Sequence, residues 1–192
     1  NAGLASNYTL TGGTHNFTVN PKVVSIQGNK TYDGNTTINT SDITAIVDTV
    51  GSETLVMSSG TGTLSSANVN NYFSGNINEG SLTLGDGTGL ASNYTLTGHA
   101  AGSFQINQRA LNSLGSREYD GTSIASSSDL TLSNLVGSDT LILSGNGTVA
   151  DVNVAVNKTV TVNTLSLADN TGLASNYTLT VVLTSLILHR EV

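Results

Sequence analysis

The side chains able to do chemistry are few in this 192-residue chain, and they stand far apart. Of the three histidines, His15 and His99 occupy the same link between strands, and neither has an acidic neighbour. Together with His189 they read as solvated loop residues. No serine lies in a Gly-x-Ser-x-Gly elbow. The closest carboxylate pair is Glu118/Asp120, beside Arg117 and inside a turn. Catalysis needs titratable groups brought together, so an enzyme is not expected. Asp86, Asp151 and Asp169 sit in turns, but calcium takes six to eight oxygens and no D-x-D-x-D-G loop offers them. Neither a metal nor a cofactor is expected. Lys30 and Lys158 are candidates for a Lys–Asn isopeptide bond, yet they fall at non-equivalent places in the two halves of the chain. Asn-x-Ser/Thr sequons occur at Asn7, Asn16, Asn29, Asn35, Asn93, Asn146, Asn157 and Asn176. In a chain this rich in Asn and Thr, many sequons arise from composition alone.

One triplet occurs twice, as Tyr32-Asp33-Gly34 and Tyr119-Asp120-Gly121. Its expected work is structural. Asp bonds its own backbone and tolerates left-handed geometry, and Gly supplies a positive φ. Tyr32 and Tyr119 are expected to bury their rings and reach a backbone group with their hydroxyls. A ligand contact is the sharper alternative, but recurrence is what a determinant of the fold gives.

The triplet is one landmark of a long repeat. The string GLASNYTLT starts at positions 3, 89 and 172, spacings of 86 and 83. Gly51-Ser52-Glu53-Thr54-Leu55 returns as Gly137-Ser138-Asp139-Thr140-Leu141, and Asn16–Asn20 returns as Ser103–Asn107. A unit of about 85 residues is long for a solenoid coil and right for a small β domain. This spacing divides the chain into residues 1–20 as the closing strands of a preceding repeat, 21–107 as one repeat, and 108–192 as a second. The second departs from the pattern at its end, where Val181–Leu188 is apolar.

Within a unit apolar residues alternate, the signature of half-buried strands. Turn signals such as Asp33-Gly34, Asp86-Gly87 and Gly145-Asn146-Gly147 separate them. The fold expected is all-β: tandem small antiparallel β-sandwiches of immunoglobulin-like type, with about seven strands each. Ser65–Tyr72 is the one place where a helical turn is expected. The expected core is Leu55, Leu82, Leu84, Tyr94 and Leu96 in the first repeat. In the second it is Leu141, Leu143, Val160, Val162, Leu165, Leu167, Tyr177 and Leu179.

Composition removes whole classes of function. Thr, Ser, Asn and Gly make up about half the chain, an unusual bias. Six basic residues against thirteen acidic ones give a net charge of −7. Without clustered Lys and Arg to neutralise phosphates, nucleic-acid binding is excluded. The longest apolar run, near Val181–Leu188, is interrupted by Thr184 and Ser185 and is far short of the roughly 20 residues of a membrane-spanning helix. Cysteine is absent, so neither disulfides nor thiolate chemistry enters. Asn1 opens in the middle of a pattern, and no secretory leader is read from these residues.

The landmarks carry a family resemblance. Lys30-Thr31-Tyr32-Asp33-Gly34-Asn35-Thr36 and Arg117-Glu118-Tyr119-Asp120-Gly121-Thr122 resemble the opening signature of the YDG repeat. Leu135–Leu141 with Ser144-Gly145-Asn146-Gly147 resembles its middle segment. Asp151-Val152-Asn153-Val154 and Lys158–Val162 resemble its later strands, and Asn176–Thr180 resembles its closing strand. That repeat occurs in tandem in large secreted bacterial adhesins of the filamentous-haemagglutinin type. The resemblance implies an extracellular spacer or stalk that crosses the outer membrane unfolded and folds outside. Its partners would be neighbouring repeats, or other copies joined head to tail by strand pairing between residues 1–20 and the Val181–Leu188 end. The rival expectation is a module binding glycans or ice through Thr-rich strand faces such as Thr159–Thr164.

Overall fold

The computed structural model describes residues 3–14, 16–97, 102–179 and, by backbone alone, 182–189. Short strands dominate, punctuated by single turns of 3-10 helix. The all-β expectation holds. Among the described residues between Lys22 and Asn107 there are eleven short strands rather than about seven, because turns interrupt the longer alternating runs. Ser65–Tyr72 forms no helical turn; its end belongs to the strand Asn70–Phe73.

The first repeat is organised by two strands. Its opening strand, Ser25–Thr31, lies at the centre of a four-stranded sheet ordered Ile43–Val47, Ser25–Thr31, Ser103–Asn107, Asn70–Phe73. Its closing strand, Ser103–Asn107, runs parallel to the opening one, with Phe104 opposite Gly28 and Ile106 opposite Lys30. The second repeat has the same plan. Arg109–Glu118 pairs in parallel with Tyr177–Leu179 and with Val182–His189. A purely antiparallel fold is therefore corrected, since four of the fourteen strand pairings among the described residues are parallel. Period-2 alternation reveals a strand but not its direction. Parallel pairing needs a crossover of a dozen residues or more, which the body of each repeat supplies.

The expected core residues all face inward. Leu55, Leu82, Tyr94 and Leu96 are buried, and Leu84 packs against them. In the second repeat Val160, Leu165 and Tyr177 are buried, while Leu141, Leu143, Val162, Leu167 and Leu179 are partly so. The largest side chain fully enclosed is Phe104. Its ring lies over Gly28, where a Cβ would collide with it and with the Asp42 carbonyl. Only glycine permits that approach. The larger apolar cluster does not stop at the end of the first repeat: it continues through Tyr32, Leu111 and Tyr177 into the second.

The apolar side chains ahead of Lys22 lie outside this cluster. Tyr8, Leu10, Phe17 and Val19 are exposed, although they match Tyr94, Leu96, Phe104 and Ile106 by position in the repeat. This pair of environments gives a direct comparison. Phe104 is 1% exposed and Phe17 is 92% exposed. Phe104→Ala is expected to cost about 3–5 kcal/mol of unfolding free energy, and Phe17→Ala to stay within about 0.5 kcal/mol of the unaltered chain. Urea unfolding of the two variants checks this.

Candidate functional site

The two Tyr-Asp-Gly turns have the same backbone. An Asp33 carboxylate oxygen accepts the Asn35 N–H at 3.1 Å, and one of Asp120 accepts the Thr122 N–H at 2.9 Å. Gly34 and Gly121 have φ of 78° and 75°, conformations that favour glycine. Each turn closes around a cation from the end of its opening strand. Lys30 Nζ, which is buried, donates to Asp33 at 3.0 Å, to the Asn35 carbonyl at 2.8 Å and side chain at 3.0 Å, and to the Thr37 carbonyl at 2.9 Å. Arg117 replaces it in the second turn, paired with Asp120 and donating to the Thr122 carbonyl at 2.6 Å. Burial opposes the Asp33 charge, but the Asn35 N–H and Lys30 outweigh it and hold the carboxyl below its usual range. Asp120 is lowered too, by the Thr122 N–H with help from Arg117. What recurs at this position is a positive charge. An amine is not required, and that leaves no repeated isopeptide chemistry.

The tyrosines do different things. Tyr32 is buried, and its hydroxyl donates across to Asp139 Oδ2 in the second repeat at 3.1 Å. Its ring meets Tyr177 edge-on, with centroids 5.3 Å apart and planes at 78°, a favoured aromatic geometry. Tyr177 donates to the same carboxylate oxygen at 2.6 Å and accepts the Val136 N–H at 3.1 Å. Beside them Asn176, 1% exposed, donates to the Asn68 side chain at 3.0 Å and accepts the Val69 N–H at 2.8 Å. Tyr72 steadies that loop by donating to the Asn68 carbonyl at 2.5 Å. Gly34 sits on Val136, where a Cβ would lie 2.8 Å from Cγ1. Arg109 reaches back toward the Tyr32 carbonyl at 3.5 Å while holding Asn134 at 2.8 and 2.6 Å.

Thus the conspicuous chemistry of the chain is a joint: the Tyr32 turn of one repeat plugged into a socket of the next. Tyr119 is 53% exposed, which corrects the expectation that both tyrosines are buried. Tyr32 also reaches a carboxylate where a backbone group was expected.

The remaining candidates fall outside the joint. Asp86 and Asp169 each accept an N–H, from Ala91 and Ala174, at 2.7 Å, and so pin equivalent 3-10 turns. Asp151 pairs with Lys158 at 2.6 Å. Among the described residues no three His, Cys, Asp or Glu side chains are grouped to hold a metal. His15 and His99 lie outside the described residues, and His189 is placed by its backbone alone. Of the sequons, Asn176 is enclosed in the joint. Sequence reasoning used Asp139, Asn176 and Tyr177 as register marks and missed their role. The signal was present: an acid recurs at Glu53 and Asp139, and Asn-Tyr at positions 93–94 and 176–177.

The joint has a pH signature. Burial, and then the Asp139 carboxylate, push the Tyr177 hydroxyl up to about 12 from its ordinary 10.0. Tyr32 is raised for the same two reasons in the same order. A folded-state pKa above the unfolded one stabilises the fold below the unfolded value, and that stabilisation fades as pH climbs to the folded value. Stability is therefore expected to fall between about pH 10 and 12, and Tyr177→Phe to flatten that alkaline limb. Chemical denaturation at stepped pH, with phenolate absorbance tracked in parallel, measures both.

Comparison with known proteins bears on the repeat itself. Neither the curated proteins nor the solved structures contain a match to this chain. The family described as YDG domain matches twice, over residues 15–101 and 106–184. The two matches cover most of the chain, the first beginning six residues ahead of the repeat boundary drawn from the landmarks, and the chain belongs to the YDG domain family.

Proposed function

We propose that the chain is a structural spacer: consecutive YDG repeats forming part of an extracellular stalk or fibre on a bacterial surface, with neighbouring repeats as its partners. Each repeat would be a small β-sandwich of immunoglobulin-like size. The observation that carries this reading is the filled joint. Tyr32, Asn68 and Val69 from one repeat bond to Asp139 and Asn176 of the next, so the orientation between repeats is fixed by side chains as well as by covalent connection. A spacer needs that property, and a flexible linker lacks it. Lack of cysteine suits export in an unfolded state. The described residues offer no gathered catalytic groups, and their chemistry is absorbed in turns and in the joint.

The adhesive rival, a glycan- or ice-binding face, would use ordered exposed threonines. Thr159 and Thr161 are exposed on the four-residue strand Lys158–Thr161. Elsewhere threonine hydroxyls bond to each other, as in Thr54 with Thr88 at 3.2 Å and Thr140 with Thr171 at 2.9 Å. Threonines tied in pairs across loops favour the spacer. Electron microscopy of the parent polypeptide is expected to show a thin stalk of even width, and a globular particle would overturn the reading. In parallel, glycan-array and ice-recrystallisation assays are expected to be negative; binding that Thr159→Ala and Thr161→Ala abolish would establish the rival.

A further inference from the structure

The joint between the two repeats has a second, empty copy. Val50, Glu53, Asn93 and Tyr94 stand in the first repeat where Val136, Asp139, Asn176 and Tyr177 stand in the second. The internal wiring is the same. Tyr94 donates to the Glu53 carboxylate and accepts the Val50 N–H at 3.1 Å, as Tyr177 does with Asp139 and Val136. Surroundings differ: Val50 is 55% exposed and Asn93 is exposed, while Val136 is half-buried and Asn176 is enclosed. These residues line a cleft of about 340 Å³, bordered by Val19, Asn20, Pro21 and Lys22. At the filled joint the border is Asn107, Gln108 and Arg109.

We infer that this cleft seats the Tyr-Asp-Gly turn of another YDG repeat, one that lies ahead of residue 1 and uses residues 3–20 as its own closing segment. Two independent observations meet here. One is the cleft, whose partner chemistry is spelled out by the filled joint: a phenol for Glu53, and a side-chain amide oxygen and a backbone N–H for Asn93. The other is the segment itself, whose Tyr8, Leu10, Phe17 and Val19 are exposed at positions where every counterpart in residues 94–106 is buried. A repeat that lacks a closing strand needs those four side chains, and its turn would then face the cleft one link away.

The structure also discriminates against a second copy of this chain as the occupant. Such a copy would present Tyr119, but the edge of its opening strand is already covered by Val182–His189, paired at Gly115–Glu118. Phe17–Asn20 would find no open edge there. This bears on the head-to-tail exchange expected from the sequence: the acceptor edge is closed within its own chain.

The inference rests on the spacer reading only in that repeats succeed one another, and its test does not depend on the shape of the parent molecule. Residues 21–86 are placed ahead of residue 1, which continues the repeat in register, and hydrogen exchange is monitored by NMR. Amides of residues 17–19 are expected to slow by on the order of 10³-fold or more. The Asn93 side-chain amide should slow toward that of Asn176 in the same molecule. Tyr32→Ala in the added repeat alone should return Asn93 to fast exchange while residues 17–19 stay protected. Fast exchange at both sites overturns the inference. So does protection of residues 17–19 with Asn93 unchanged, which leaves the spacer reading intact. Sedimentation of the unextended chain supplies the second arm, and it is expected to remain monomeric. Self-association abolished by both Tyr119→Ala and Asn93→Ala would make the occupant a second copy and overturn the assignment.

Discussion

The architecture hangs on one constraint: the last strand of each repeat must lie parallel to the first. Ser103–Asn107 satisfies it by crossing back over the whole body of the repeat to pair with Ser25–Thr31. Parallel strands point the same way, so the chain leaves the repeat at the end where the Tyr-Asp-Gly turn begins. Arg109 then opens the next repeat after the single residue Gln108, whose side chain donates to the Ser175 carbonyl at 3.1 Å. With so short a link, the turn of one repeat and the loops of the next are forced together. The joint is a consequence of the topology, and the side chains make it specific. At the corresponding place before the first repeat stands Pro21, the sole proline of the chain, which stiffens the link by fixing φ.

Magnitudes indicate what holds the joint. Enclosing an aromatic side chain stabilises by about 2–3 kcal/mol, and an edge-on aromatic pair adds about 1 kcal/mol. A hydrogen bond contributes about 1 kcal/mol net, somewhat more to a charged acceptor. The apolar contact of Tyr32 with Tyr177 is thus at least as large as the polar one. The shared Asp139 oxygen and the Asn176 bonds set orientation, because a ring can rotate or slide where a directed bond cannot. The ion pair of the largely buried Arg117 side chain with the half-exposed Asp120 lies outside the joint and shapes its own turn.

The nonapeptide GLASNYTLT separates what is local from what is not. Its three copies all form the same 3-10 turn, at Ala5–Asn7, Ala91–Asn93 and Ala174–Asn176. Local sequence dictates that much. Yet Tyr8 is exposed while Tyr94 and Tyr177 are buried, since only the latter two have a repeat body beneath them. The same division explains which features were legible. Alternation marked the core, and Asp-Gly marked the turns, because both are short-range signals. The direction of the closing strands was hidden, since pairing partners about 75 residues apart leave no local trace. The fates of Tyr32 and Tyr119 were hidden for the same reason: both triplets are identical, and only the presence of a socket in the next repeat tells them apart.

Continuity of the apolar cluster through Tyr32, Leu111 and Tyr177 means that the repeats share part of their apolar core. Each interface adds a nearest-neighbour term to the intrinsic stability of its two members, as in other linear arrays. A domain of about 85 residues buries a modest fraction of its surface, so such a term is a sizeable share of its total. The first repeat gains from a neighbour on one side, through Tyr32, and faces solvent on the other, through Val50 and Asn93. Tyr94 bonds the Glu53 carboxylate and the Val50 N–H as Tyr177 bonds Asp139 and Val136, although Val50 and Asn93 beside it are exposed. The socket therefore keeps its own tyrosine satisfied without a guest, and the surface it presents is formed before any neighbouring turn arrives.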